Sequence, residues 1–230
     1  MQETSHSKQQ IAIKLNISSG LCNRLRTIFY FHNRLEINQE LVVVWNWNEK
    51  GTPGEFYDFF EQIPNLKFVR KTKLPIEYRG NGNDLVFDNN YDLLCPKNLV
   101  ASRLRNEMEK LKNNYVAVHV RQTDIKLAYA KRNLEFSPSD LSVFFNFVDS
   151  HPNRNLYIAS DNQHAYQVLF QQYCRHRIVN DNIMFLDTAV RRKTSLMDAI
   201  VDLYMCIGAQ EFQGTHLSSF TTFIEDNRKL

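Results

Sequence analysis

The stretch that decides the reading is Tyr115 to Asp124, Tyr-Val-Ala-Val-His-Val-Arg-Gln-Thr-Asp. Tyr115, Val116, Val118 and Val120 are strong β-formers and predict a strand, while His119, Arg121 and Asp124 fall where that strand leaves its sheet. In open α/β sheets ligands bind in the crevice beyond the carboxyl ends of the strands, and a guanidinium there is a rigid fork of donors matched to phosphate oxygens. Arg121 is therefore the first candidate for a functional residue. The plainer alternative is an ion pair between Arg121 and Asp124 in a loop, with His119 satisfied in the core.

Outward from this strand the chain alternates between strand and helix patterns. On the amino-terminal side, Ile11–Leu15 reads as a buried strand, followed by the turn Gly20-Leu-Cys-Asn-Arg-Leu-Arg26 and a helix with apolar positions Leu21, Leu25, Ile28 and Phe29. Glu40–Asn46 and Leu66–Arg70 read as further strands, Leu85–Asp88 as one more, and Asn48–Glu55 and Tyr78–Asp84 as glycine-bearing loops. Leu99–Leu111 has helical spacing. On the carboxyl-terminal side, Ser137-Pro138 opens a helix, Leu156–Ala159 is a strand ending in Ser160-Asp161-Asn162, and Gln163–Tyr173 is a helix. Arg177–Val179 is the next strand, and a helix from about Ser195 to Ile207 carries Asp198 and Asp202 on one face. Glu211–Gln213 is a short strand, and Gly214 to Phe220 turns into the last helix. Such alternation predicts parallel sheets covered on both faces. The expected architecture is α/β, with two Rossmann-like lobes, residues 1–112 and 113–230, facing each other across a cleft.

Composition narrows the function classes. With 43% hydrophobic and 23% charged residues the chain has enough apolar material for a sizeable core, and a net charge of +3 without a basic stripe argues against nucleic acid. No apolar run approaches the ~20 residues of a transmembrane helix. Residues 1–9 lack the apolar segment of a secretory signal, so a cytoplasmic setting is expected. Cys22, Cys95, Cys174 and Cys206 form no CxxC pair and read as reduced thiols rather than as a zinc site or disulfide framework. Neither a Gly-x-Gly-x-x-Gly turn nor a P-loop is present, so phosphate binding has to come from side chains and helix termini. Three strand ends bring such groups to one edge: His119 with Arg121, Asp161, and Ser218-Ser219 at a helix amino terminus, with Arg191-Arg192-Lys193 as an added cationic run or a solvated face.

Several of these segments resemble one family. Val118-His119-Val120-Arg121-Gln122-Thr123-Asp124 resembles the His-x-Arg-x-x-Asp motif of the fucosyltransferase superfamily that includes core alpha-1,6-fucosyltransferases, the rhizobial chitooligosaccharide fucosyltransferase and protein O-fucosyltransferases. Leu156–Asp161 resembles that family's strand ending in Ala-Thr-Asp, and Val201-Asp202-Leu203 through Gly214-Thr215 to Ser218-Ser219 resembles its last block. Gly20–Arg26 is similar to its Gly-x-x-Asn-Arg/Gln turn. The resemblance implies a GT-B fold and an inverting glycosyltransferase of glycan biosynthesis, moving a deoxysugar from a nucleotide sugar, GDP-fucose, to a glycan acceptor without metal or other cofactor. It implies that Arg121 binds the β-phosphate, that Ser218, Ser219 and Phe220 help hold the donor with Asp161 and Arg192, and that His119 and Asp202 recognise the nucleoside. Gly20, Asn23 and Arg24 would lie on the acceptor or donor-sugar side. Two departures stand out: Gln122 replaces a second arginine, and Tyr129 occupies the position where core fucosyltransferases carry a glutamate base. Asp124 and Glu135 are then the remaining candidates near the motif for acid–base work. The alternatives are a transferase for rhamnose or another sugar on a different nucleoside diphosphate, and an inactive sugar-binding relic.

Overall fold

A computed structural model describes residues 8–16, 19–45, 54–80, 85, 91–122, 129, 141–181, 184–185 and 194–228. The described residues form two compact units, which divide between Lys97 and Asn98, ahead of the expected boundary at 112/113.

The first unit is a parallel sheet of β1 (Gln9–Leu15), β2 (Gln39–Val44), β3 (Leu66–Val69) and β4 (Ile76–Gly80) in the order β3-β2-β1-β4. Helix α1 (Leu21–His32) crosses from β1 to β2, and the one-turn helix α2 (Phe56–Phe59) precedes β3. The aromatic residues from Phe56 onward, whose pattern predicts a helix over Phe56–Ile63, instead build a cluster: Phe56 stacks on Phe68 at 4.1 Å, and Trp45 meets both rings edge-on. Strand β4 overlaps the segment Tyr78–Asp84 that reads as a loop. Its side chains alternate in burial and it pairs parallel with β1 across a bulge at Ala12/Ile13, so an edge position hides the glycine-ended strand from pattern reading.

The second unit is a parallel sheet of β5 (Tyr115–Val120), β6 (Asn155–Ser160) and β7 (Phe212–Gly214) in the order β6-β5-β7. Every residue of β5 is buried. One face, with Val116, Val118, Val120, Leu156 and Ile158, packs on α4 (Ser142–Asp149) and α5 (Gln163–Tyr173). Alternation sends Tyr115, Ala117, His119 and Tyr157 to the other face. There Tyr115 Oη donates to the Met205 carbonyl and Tyr157 Oη to Asp202 of α6 (Leu196–Gly208). Helix α3 (Asn98–Lys110) belongs to this unit, with Arg103 on Asp198 of α6 at 2.5 Å.

The expected strand at Arg177–Val179 is reduced to a bridge between Val179 and Leu156, and Asn180 continues it with a side chain. Its amide accepts from the Ile158 N–H at 2.7 Å and donates to the Ile158 carbonyl at 3.1 Å, as a strand residue would. The last helix, α7 (Ser219–Arg228), is fastened at its carboxyl end by Arg228, whose guanidinium donates to the carbonyls of Cys206, Ile207, Ala209 and Gln210 at the end of α6. The expected strand Leu85–Asp88, the loop from Asn48, the helix start at Ser137, and Asp124, Glu135 and Arg191–Lys193 lie wholly or largely outside the described residues.

Charge-assisted bonds to carbonyls at a helix end are each worth about 1.5–3 kcal/mol. Arg228→Ala is expected to lower stability by about 2 kcal/mol, read as a fall in the urea midpoint at unchanged m-value, and Arg228→Lys by less.

Candidate active site

Because β5, β6 and β7 are parallel and in register, with His119 beside Ala159 and Gly214, their carboxyl ends open on one edge of the sheet. Thr215 is the first residue past β7, and its backbone N–H and its hydroxyl both donate to the His119 carbonyl at 2.9 Å. The same hydroxyl accepts from the Arg121 N–H at 2.9 Å. It thereby extends the ladder one step beyond the strands and sets the direction in which Arg121 leaves β5. Asp161 does the corresponding work from the other side, accepting from the Gln122 N–H at 2.8 Å. The backbone on both sides of the Arg121 side chain is thus pinned.

Leu217 adopts φ 63°, in the left-handed region that a leucine rarely enters, and this turn delivers Ser218 to the head of α7. Arg121 Nη1 lies 3.5 Å from Ser218 Oγ, so the guanidinium, a serine hydroxyl and the first N–H groups of a ten-residue helix share one small region. Such N–H groups and the helix dipole favour an anion, and the guanidinium favours the same one. Ser219 is the first residue of α7, and the ring of Phe220 covers His119 with centroids 4.6 Å apart. His119 is 7% exposed, and burial, with the nearby Arg121 charge second, pushes its pKa down to about 3.

The structure thus brings together His119, Arg121, Asp161, Ser218, Ser219 and Phe220. Asp202 lies elsewhere on the same unit. It accepts from Tyr157 Oη at 2.8 Å and lines a cavity of about 10 Å³, room for roughly one water, with Arg103, Glu107, Tyr157, Asn180, Asp198 and Val201. Asp198, one turn earlier, is held by Arg103 and by the capping box with Ser195.

In the first unit Gly20 is the N-cap of α1 with φ −68°, and a Cβ there would meet nothing within 4 Å. Neither strain nor crowding requires a glycine. Arg24 is 2% exposed and donates to the carbonyls of Ser19 and Asn16 with its charge 5.0 Å from the Trp45 ring, so in this structure it braces the turn from inside. Asn23 Oδ1 is buried without a hydrogen-bond partner among the described residues.

Two residues that pattern reading left without a role stand out: the bridging Thr215, and Thr221, whose hydroxyl is 2.9 Å from His119 Nδ1. The available signal was a hydroxyl in the first turn of α7 facing a strand that ends in a histidine.

Comparison with solved structures places this geometry. The NodZ alpha-1,6-fucosyltransferase soaked with GDP-fucose, a Bradyrhizobium enzyme, superposes with a TM-score of 0.61 at 11% identity over 94% of this chain and 91% of its own. POFUT1 in its apo form gives 0.59 at 12% identity over 99% and 97%, and Arabidopsis thaliana FUT1 in complex with GDP gives 0.54 at 9% over 99% and 70%. The chain shares their fold. That fold is GT-B-like, as the motif resemblance implied. No protein-family model and no curated protein sequence matches.

Among the described residues no three His, Cys, Asp or Glu side chains are grouped to hold a metal, no helix is long and apolar enough to cross a membrane, and the four cysteines are free thiols.

The lowered pKa of His119 has a thermodynamic consequence. In the unfolded chain the ring protonates near 6.5, in the folded protein near 3, so the folded state resists a proton that the unfolded state takes up. The contribution is full above pH 6.5 and is lost as pH falls toward 3, with a limiting slope of about 1.4 kcal/mol per pH unit. Urea denaturation between pH 7 and 4 is expected to show that slope, reduced in His119→Gln.

Proposed function

We propose that the protein is a glycosyltransferase that moves a deoxysugar, L-fucose, with inversion from GDP-fucose to a hydroxyl of a glycan or similar acceptor. The observation that carries this reading is the convergence of Arg121, Ser218 and the amino terminus of α7 beyond parallel strand ends, in a fold shared with fucosyltransferases whose structures hold GDP or GDP-fucose.

In such a transfer the acceptor hydroxyl oxygen attacks the anomeric carbon and releases its proton to solvent, the bond from that carbon to the β-phosphate oxygen breaks, and its electron pair departs with the diphosphate. Negative charge therefore grows on the leaving group, where donors that are already oriented stabilise the transition state without reorganising. Arg121 supplies a charged fork, Ser218 a hydroxyl, and Ser219 and Phe220 the N–H groups of a helix terminus. Thr215 and Asp161 hold the backbone that aims the arginine. Asn23, with an acceptor atom that no described residue uses, is assigned to the sugar or acceptor side, and Arg24 to supporting the turn that carries it.

Removing a preorganised donor at a developing oxyanion costs about 3–4 kcal/mol of barrier. Arg121→Ala is expected to lower fucosyl transfer by ~10²–10³-fold while its circular dichroism and urea midpoint stay close to wild type. Near-normal turnover in that folded variant would remove the reading.

The nucleoside assignment is tested separately, because the Tyr157 hydroxyl already engages one Asp202 oxygen; the second reading is another nucleoside diphosphate sugar, such as a rhamnosyl donor. A carboxylate suits the paired N–H donors of guanine better than the single imide of uracil, and an unpaired buried acceptor costs about 1–3 kcal/mol. Calorimetry is expected to give tighter binding of GDP than of UDP, with the preference reduced in Asp202→Asn. GDP binding by that variant as tight as that of wild type would assign Asp202 to the Tyr157 contact alone.

A further inference from the structure

The surroundings of the His119 ring fix which of its nitrogens carries the proton. Thr221, 4% exposed, stands in the first turn of α7 with its hydroxyl 2.9 Å from Nδ1. A threonine in a helix commonly turns its hydroxyl to the carbonyl four residues back, as Thr222 does to Ser218 at 3.2 Å. Thr221 makes no such bond among the described residues; its hydroxyl faces the imidazole. A buried hydroxyl hydrogen needs an acceptor, and the one presented to it is the Nδ1 lone pair. The ring hydrogen then resides on Nε2, which makes no hydrogen bond to any described residue.

The approach of Thr221 depends on Gly214 at the end of β7. A Cβ there would stand 2.2 Å from Thr221 Cγ2 and 2.5 Å from its Oγ1, too close for any side chain to be added without moving the threonine. Phe220 covers the ring, and the depressed pKa keeps it uncharged.

We propose that Thr221 is a positioning residue that holds His119 as the neutral Nε2–H tautomer, so that the ring offers a hydrogen-bond donor to an acceptor atom of the bound nucleoside diphosphate. The ligand half rests on the donor-site reading above; the tautomer half does not. Arg121 then grips charge while His119 contributes a neutral donor whose strength does not change over the working pH range.

The test uses full-length protein labelled with 15N-histidine, the His119 resonances being identified by their loss in His119→Gln. Wild type and Thr221→Ser are expected to show the Nε2–H tautomer at pH 7, and Thr221→Val a shift toward Nδ1–H. By calorimetry, GDP binding is expected to stay within about 3-fold of wild type in Thr221→Ser and to weaken ~10-fold or more in Thr221→Val. The Nδ1–H form in wild type, or an unchanged tautomer and unchanged GDP affinity in a folded Thr221→Val, overturns the proposal. The wild-type spectrum decides the tautomer even if the valine variant does not fold. A wild type that binds neither GDP nor UDP overturns the donor-site reading and the ligand half with it, while the spectra still decide the contact between Thr221 and His119.

Discussion

One hydroxyl holds the edge of the second sheet in order. Thr215 donates to the carbonyl of His119 and accepts from the N–H of Arg121, so the end of β5 is tied at two points to the loop that follows β7. Without it the pairing would end at the Thr215 N–H on the His119 carbonyl, and the Arg121 N–H would lose the acceptor that holds it to the β7 side. With Asp161 gripping the next N–H from the β6 side, the backbone on both sides of the arginine side chain is held by hydrogen bonds. That arrangement fixes the backbone from which the guanidinium extends, as preorganisation requires. It also links a positioning task to fold stability, since the strand pairing that supports Arg121 is also part of the core.

The second unit was the more legible half. Tyr115–Val120 is a strand with the predicted bounds, and Gln163–Tyr173 is a helix with the predicted bounds, because buried parallel strands and amphipathic helices write strong periodic signals. The gathering of His119, Arg121, Asp161 and Ser218 at one edge followed from parallel topology alone. Less visible was β4, an edge strand of mixed polarity ending in glycine, which resembles a loop by composition. Helix α2 ends after one turn because the aromatic side chains from Phe56 onward are used in a cluster with Trp45 and Phe68 rather than along a helical stripe. Arg24 shows a deeper limit: the family resemblance put it on the acceptor or donor-sugar side, and only the packed structure shows its donors engaged with Ser19 and Asn16. Asp202 is similar, since helical spacing put it on one face with Asp198 but gave no sign of Tyr157.

The hydrogen-bonding of Asn180 bears on how this molecule behaves beside others of its kind. The outer side of β6 carries peptide groups that in most sheets would accept another strand, and exposed strand edges are where chains recruit each other into larger aggregates. Here a bridge at Val179 and then a side-chain amide on Ile158 occupy that side, and the Tyr166 hydroxyl, donating to the Asn180 carbonyl at 2.5 Å, keeps the segment in place. A side chain can complete a ladder but cannot pass the pattern on, because it has no second peptide edge to offer. The sheet is thereby stoppered on its β6 side, and recruitment of a foreign strand is left to β7, which at three residues gives it little length to hold.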